Sequence, residues 1–287
     1  MKTYDKPVTI LSTPGRHWLN AAVSIWRFCG RGWGLWRLVH YGSAIYRSWR
    51  KCPTIGPDLR PFWIDLRYGQ FSWLVSGWHT AVIDSALAGL PEDAVALDIG
   101  AHIGTMSRLF ASRFASGHVY AFEASPDNYR QLASNCASVT NITCSQMALG
   151  RNTGEESFSS GVTAPVLRRI VPKGPNTISV PAMRLSDWIA QSKLRRLDFI
   201  KVDVEGFEED VLVPARETLK VFRPLIVFEF IARFAKERSF YRGERLFPLL
   251  ESLNYLVYRL DQCGGRHSNF DEVSVQMTND YIATPRV

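Results

Sequence analysis

Residues 96–104 read ALDIGAHIG, an apolar run that continues into a carboxylate and two glycines. Asp98, Gly100, Ala101 and Gly104 form the pattern D-x-G-A-x-x-G. This pattern predicts a buried strand, a tight turn and the start of a helix, because glycine permits turns and close backbone approach. We expect Gly104 to let the helix pack against the sheet. A carboxylate at the end of the strand would attract a cation.

Around this turn the chain alternates short apolar runs with helical patterns. This alternation predicts an α/β fold of right-handed βαβ units, with a largely parallel sheet and helices on both faces. Ligands of such sheets bind beyond the carboxyl ends of the strands, which is where this turn lies. The main predicted strands are AVALDIG, GHVYAFEAS, ITCSQMALG, LDFIKVDV and PLIVFEF, and the main predicted helices are TAVIDSALAGL, IGTMSRLFASRFA, SPDNYRQLASNCASV, SDWIAQSK and FEEDVLVPARETL.

A second acid, Glu123, ends the next predicted strand, 25 residues after Asp98. An acid at this position can accept hydrogen bonds from both hydroxyls of a ribose. A dinucleotide site would instead show G-x-G-x-x-G, and Asp98 would repel its pyrophosphate. Together the two acids indicate a nucleoside with a cationic amino-acid tail, which describes S-adenosylmethionine. The alternative is an ordinary βα turn with an unrelated surface Glu123.

The residues from about 75 to 287 resemble the FkbM family of S-adenosylmethionine-dependent methyltransferases. The resemblance implies a class I methyltransferase (Rossmann-like) sheet of seven strands, the last of them antiparallel. It also implies methyl transfer to a hydroxyl oxygen, typically on a sugar or a natural product. The motifs that carry it are LDIGAHIG, VYAFEASPDNYRQLASN, MALG, LDFIKVDVEGFEEDVL, RPLIVFEF, LNYLVYRL and DYIATPR.

The same resemblance implies roles for individual residues. The residues of the D-x-G-A-x-x-G turn would hold the methionine end of the cofactor, and His102, where the family often has Asn, could contact it. Ser186 stands where the family often has Asp, which we interpret as an exchange of helix N-caps. The residues implied around the ribose are Glu123, Ala124 and Ser125, and those near the adenine are Met147 and Ala148.

Methyl transfer to an alcohol is helped by a general base, and carboxylates near the strand ends are the candidates. Asp203 and Glu205 follow one predicted strand and Glu229 ends the next, so all three should face the same edge as Asp98. Asp203 is the first choice for the base, Glu229 could orient the acceptor or act as the base, and Glu205 could bind a backbone N–H group. A structural ion pair with Lys201 is the alternative. Asp203 and Glu229 could also chelate a divalent ion, but two carboxylates without an obvious third ligand are a weak signal, and we expect no metal.

The N-terminal residues 1–74 form a separate, basic segment that we predict to be helical. Residues 1–75 hold 11 Lys and Arg against 3 Asp and Glu, whereas the remaining chain is nearly neutral. Residues 15–51 contain five tryptophans, and a predicted helix after Gly34 has one apolar and one basic face. This helix could pack on the main domain, lie in an anionic membrane interface or bind nucleic acid. Interrupting arginines argue against a transmembrane helix, and no convincing cleavage site follows the short apolar stretch.

These observations favour an O-methyltransferase acting on a saccharide, glycolipid or natural product. The alternatives are an RNA methyltransferase and a non-catalytic cofactor-binding module docked at a membrane, and the near-neutral main domain makes nucleic acid the weaker partner. Scattered cysteines suit a reducing compartment. We expect a cytoplasmic protein, with peripheral contact at the inner face of the membrane as the alternative. The sequence identifies neither the acceptor nor the oligomeric state.

Overall fold

The chain divides into two compact units, Met1–Gly77 and Trp78–Val287. In the first unit, strands β1 (Cys52–Ile55) and β2 (Pro61–Ile64) pair antiparallel, in a segment that the sequence predicts to be helical. The helices predicted within residues 15–51 lie outside the described residues. The computed structural model describes residues 52–55, 61–64, 86–159, 174–231, 246–260 and 278–286.

The second unit is built on a seven-stranded sheet with the order β5-β4-β3-β9-β10-β12-β11. Strand β12 is antiparallel to both of its neighbours, and the pairs from β5 to β10 are parallel. The predicted class I methyltransferase fold is therefore confirmed. The strands of this unit are β3 (Val95–Ile99), β4 (His118–Phe122), β5 (Ile142–Ser145), β6 (Ala148–Leu149), β7 (Gly154–Ser159), β8 (Thr177–Met183), β9 (Phe199–Val202), β10 (Leu225–Ile231), β11 (Tyr255–Leu260) and β12 (Thr278–Pro285).

Helices cover both faces of this sheet, as predicted. Helix α2 begins as the sequence indicates, with the N-cap Ser125 followed by Pro126 in the first turn. In the described part of the chain, no helix is both long enough and apolar enough to cross a membrane. The helices are α1 (Thr105–Arg113), α2 (Pro126–Cys136), α3 (Leu185–Ser192), α4 (Glu208–Leu212), α5 (Arg216–Phe222) and α6 (Leu246–Ser252).

Side chains alternate along the strands, so the sheet carries a different core on each face. One face packs against α3 to α6 through buried residues such as Leu97, Ile200 and Phe228. The other face packs against α1 through Ala96, Phe199 and their neighbours. Asp98 lies on the α1 face because it follows Ala96 by two positions. The polar residues of the site therefore share a face with α1.

Two predicted elements are each divided in the structure. The run ITCSQMALG was predicted as one strand, but it forms β5 of the main sheet and β6 of a separate three-stranded sheet with the order β6-β8-β7. The run FEEDVLVPARETL was predicted as one helix, but it forms α4 and α5 on either side of Pro214. Proline lacks the N–H group that a continuous helix needs, and its ring clashes with the preceding turn.

Candidate active site

The turn between β3 and α1 fits tightly against the end of β9. Gly100 has φ +80°, and a Cβ atom added there would lie 1.8 Å from the backbone oxygen of Asp203. Its N–H group and that of Ala101 donate to the carbonyl oxygen of Phe122, at 3.0 and 2.9 Å. A side chain at Gly100 would therefore push the turn away from β9.

Gly104 serves a packing contact that differs from the predicted one. It is the N-cap of α1, with φ +91°. A Cβ atom there would lie 2.9 Å from Leu132 Cδ1 and 3.0 Å from Cys136 Sγ, both on α2. The prediction that Gly104 lets α1 approach the sheet is thus corrected: the close neighbour is α2.

Asp98 is fully buried, with 0% of its surface exposed. Ser107 on α1 donates its hydroxyl to Oδ2 at 2.6 Å, and Lys201 Nζ lies 3.5 Å from Oδ1. Burial raises the pKa of Asp98, against the opposing effects of Lys201 and Ser107. Direct contact of Asp98 with the methionine end of the cofactor stays a prediction.

Glu123 joins the two turns that would enclose a nucleoside. Its Oε2 accepts the N–H group of His102 at 2.8 Å, and its Oε1 accepts that of Ser125 at 2.8 Å. The side chain is 7% exposed, and burial raises its pKa to about 7, although these N–H groups favour the ionised form. Each oxygen keeps a further lone pair that could accept a ribose hydroxyl.

The residues predicted to flank the ribose, Ala124 and Ser125, and those predicted near the adenine, Met147 and Ala148, are divided between two apolar clusters and a helix N-cap. Ala124 and Ala148 belong to one cluster with Phe158 and Val180 of the small sheet. Met147 packs instead against the large core on the α3 side of the main sheet. Ser125 is buried, and its hydroxyl accepts the N–H group of Asn128 at 3.5 Å, as an N-cap does. The small sheet thus supplies an apolar wall beside Glu123.

The three predicted base candidates lie together. Asp203 follows β9, Glu229 lies near the end of β10, and Glu205 adopts a left-handed backbone with φ 54° between them. Each offers a carboxylate oxygen, and these oxygens all lie within 4.8 Å of one another. Within the described ranges, these three carboxylates form the group that could hold a metal ion. The sequence suggested two metal-ligating carboxylates here, and the structure adds a third. The expectation that no metal is bound stays a prediction.

Glu208 binds the backbone after β9. Its Oε1 accepts the N–H groups of Val204 and Gly206, at 3.2 and 3.0 Å. Glu208, on the first turn of α4, thus makes contacts of the kind considered for Glu205, whose own role stays a prediction. Glu205 lies beside the carboxylates of Asp203 and Glu229.

Asp280 was missed by the sequence analysis. Strand β12 pairs antiparallel with β10, so that Asp280 lies directly opposite Glu229 and on the same face. Burial and the nearby Asp203 raise the pKa of Asp280 to about 7. Burial, followed by the effects of Asp203, Glu205 and Asp280, raises the pKa of Glu229 to about 11. The raised pKa favours the protonated form of Glu229 near neutral pH.

Lys201 supplies positive charge beside these acids. It is 5% exposed on β9, opposite Asp98 on β3, and its Nζ lies 3.2 Å from Asp203 Oδ2. Burial acts to lower the pKa of Lys201, but the Asp203 and Asp98 carboxylates outweigh it, and the pKa is raised. A lysine inside the buried run FIKV was the sequence signal for this role, since buried lysines need an anionic partner.

The remaining predicted residues have varied outcomes. His102 has φ 52°, and burial lowers the pKa of its ring to about 4, which favours the neutral imidazole; its contact with the cofactor stays a prediction. His118 opens β4, and its Nε2 lies 2.8 Å from Thr143 Oγ1. Ser186 is not the N-cap of α3, because Arg184 occupies that position and Ser186 lies inside the helix. That interpretation was wrong.

Comparisons with known proteins bear on this arrangement. The chain is 26% identical over 183 residues to the 2-O-methyltransferase NoeI of Sinorhizobium fredii (strain NBRC 101917 / NGR234), covering 57% of this chain and 71% of that relative. It is 26% identical over 160 residues to the methyltransferase sdnD of Sordaria araneosa, covering 44% and 62% of the two chains. It is 19% identical to the solved methyltransferase FkbM from Methylobacillus flagellatus KT, with a TM-score of 0.44, covering 76% of this chain and about half, 53%, of that one.

Residues 98–260 match the family described as the Methyltransferase FkbM domain. The match begins at Asp98 and extends through β11, so it contains the glycine turn, Glu123 and the carboxylates after β9 and on β10. It covers more than half of the sequence. The chain belongs to the FkbM family of S-adenosylmethionine-dependent methyltransferases.

Proposed function

We propose that the protein transfers a methyl group from S-adenosylmethionine to a hydroxyl oxygen of a saccharide, glycolipid or natural product. This proposal depends mainly on one observation: three carboxylates, those of Asp203, Glu205 and Glu229, lie together beside the cofactor turn. An alcohol acceptor has to lose a proton and therefore needs a base at this position, whereas an amine acceptor depends less on a base. The name of the relative from Sinorhizobium fredii, a 2-O-methyltransferase, supports oxygen as the acceptor.

The residues present suit S-adenosylmethionine. Glu123 offers carboxylate oxygens for two ribose hydroxyls, Ala124 and Ala148 offer an apolar wall for the adenine, and the acids after β9 offer negative charge for a sulfonium. When bound, the cofactor supplies an electrophilic methyl group attached to that sulfonium.

Asp203 and Glu229 have different proposed roles toward the acceptor. Asp203 would take the proton of the acceptor hydroxyl, and the bound cofactor would supply the methyl group that this oxygen receives. Glu229, protonated near neutral pH, donates a hydrogen bond that orients the acceptor. The acceptor oxygen has to be held at about 3 Å from the methyl carbon for this displacement.

A labelling experiment tests the proposal. The full chain is incubated with S-adenosylmethionine carrying a tritiated methyl group and with methyl glycosides of glucose, galactose, mannose, rhamnose and fucose. We expect base-stable label in a methyl ether of at least one glycoside, located by mass spectrometry. Transfer to none of the glycosides would count against a saccharide acceptor, and label in an N-methyl product of added RNA would favour the nucleic-acid alternative.

A further inference from the structure

We propose that Lys201 is a positioning residue for methyl transfer: its ammonium, anchored by Asp98, holds Asp203 ionised and fixed beside the acceptor hydroxyl. This inference rests on the proposed role of Asp203 as the base. It links the turn that would hold the cofactor to the group that removes the proton. It also gives Asp98 a function that does not require contact with a ligand.

The geometry supports this role through a continuous set of contacts. Ser107 on α1 donates to Asp98 Oδ2 at 2.6 Å, and Asp98 Oδ1 lies 3.5 Å from Lys201 Nζ. The same Nζ lies 3.2 Å from Asp203 Oδ2. Because Lys201 and Asp203 are two positions apart, their side chains leave the backbone on the same face of the sheet. The set therefore passes from α1 through β3 and β9 to the edge where the carboxylates meet.

The surrounding charges show why Asp203 needs this ammonium. Acids face it from several elements, and carboxylates in close proximity disfavour each other's ionised form. A protonated Asp203 could not accept the hydroxyl proton. An ammonium 3.2 Å away favours the carboxylate instead. The titratable groups around Lys201 and Asp203 are Asp98 on β3, His102 in the turn after it, Glu123 after β4, Glu205 after β9, Glu208 on α4, Glu229 on β10 and Asp280 on β12.

A binding experiment can test the role without knowledge of the acceptor. S-adenosylmethionine carries a sulfonium charge and S-adenosylhomocysteine does not, so the ratio of their dissociation constants reports negative charge beside the sulphur. Both constants are measured by calorimetry from pH 6 to pH 9 on the full chain. The variants are Lys201→Met, Lys201→Arg and the matched control Lys220→Met, whose side chain is exposed on α5.

The expected result follows from the sign of the interaction. Without the ammonium, the neighbouring acids disfavour the ionised form of Asp203, so more of it should be protonated at the acid end of this range and the site should carry less negative charge. The preference of Lys201→Met for S-adenosylmethionine should therefore fall by at least about threefold between pH 8 and pH 6, relative to the wild type. Lys201→Arg and Lys220→Met should follow the wild type. A Lys201→Met profile that matches the wild type overturns the proposal.

Two double variants separate positioning from a structural role. Lys201→Met/Asp203→Asn should lose the added pH dependence, and its persistence would assign the titration to another acid and overturn the proposal. Lys201→Met leaves Asp98 buried without its cation, so Lys201→Met/Asp98→Asn provides a variant in which both charges are absent. It should keep the added pH dependence. A return to the wild-type profile would show that Lys201 serves only to neutralise Asp98.

The proposed function and this inference fail in different ways. A wild-type protein that binds both nucleosides but methylates no glycoside would contradict the acceptor class and leave the binding profiles to decide on Lys201. Methylation by the wild type, together with identical profiles for the wild type and Lys201→Met, would contradict the inference alone.

Discussion

The acidic residues on the two sides of the site have different surroundings. At the ends of β3 and β4, Asp98 accepts the Ser107 hydroxyl and lies 3.5 Å from Lys201 Nζ, and both oxygens of Glu123 accept backbone N–H groups. At the ends of β9, β10 and β12, carboxylates instead lie against one another. Engaged carboxylates organise turns, whereas clustered carboxylates hold charge that a substrate, a proton or a cation can compensate. We infer that the first pair shapes the cofactor side and that the second group performs the chemistry.

The clustered side should show the largest effect on turnover. Asp203→Asn removes the proposed base but keeps the shape of the side chain. We expect kcat to fall by about 10²- to 10⁴-fold while the dissociation constant of S-adenosylmethionine changes little. Glu217→Gln, at an exposed position on α5, is the matched control. Unchanged kcat in Asp203→Asn would place the base elsewhere.

The engaged side should instead govern cofactor affinity. Glu123→Ala removes the acceptor of the His102 and Ser125 N–H groups, so we expect calorimetry to show binding of S-adenosylmethionine at least about tenfold weaker. In the wild type, affinity should increase as the pH rises from 6 to 8, because the pKa of Glu123 is raised to about 7 and the carboxylate is the better acceptor. Glu123→Gln should flatten that dependence. Wild-type affinity that is constant over this range would contradict the assignment to the ribose.

Glu229→Gln tests whether Glu229, rather than Asp203, is the base within the clustered group. Burial raises the pKa of Glu229 to about 11, so the wild-type side chain is a neutral donor near pH 7. Glutamine retains a donor at this position, and we expect kcat to fall by less than about tenfold with cofactor binding unchanged. A loss as large as that of Asp203→Asn would show that Glu229 is the base.

Asp280→Asn should have the smallest effect, and on stability rather than turnover. The pKa of Asp280 is raised to about 7 in the folded protein, above its ordinary value of 3.8. Burial of the ionised form therefore costs stability in full above pH 7, and the cost disappears as the pH falls below 4. We expect Asp280→Asn to raise the Tm by about 2–4 °C at pH 8 and by less at pH 5, measured by differential scanning calorimetry. Equal shifts at both pH values would contradict ionisation of Asp280 as the cause.

Local patterns in the sequence predicted the framework of the site. The D-x-G-A-x-x-G turn, the Ser125–Pro126 helix start and the strands that end near Asp98, Glu123 and Asp203 all depend on residues a few positions apart. Such short-range preferences are set by backbone sterics and capping. The prediction failed at Pro214, which divides a run predicted as one helix. It also missed Glu208, which makes backbone contacts of the kind considered for Glu205.

Long-range pairing determined the rest of the site. Asp280 joins Glu229 only because β12 is inserted between β10 and β11, a position that chain order does not reveal. Lys201 meets Asp98 only because β9 pairs with β3, although about a hundred residues separate them.

The sequence by itself determined an α/β methyltransferase with a nucleoside-binding turn and acids near the strand ends, because residue type and spacing specify turns, caps and buried strands. The tertiary structure alone decided which acids are engaged and which are clustered. That distinction depends on strand order and burial, which set the distances between charges and the solvent each of them loses.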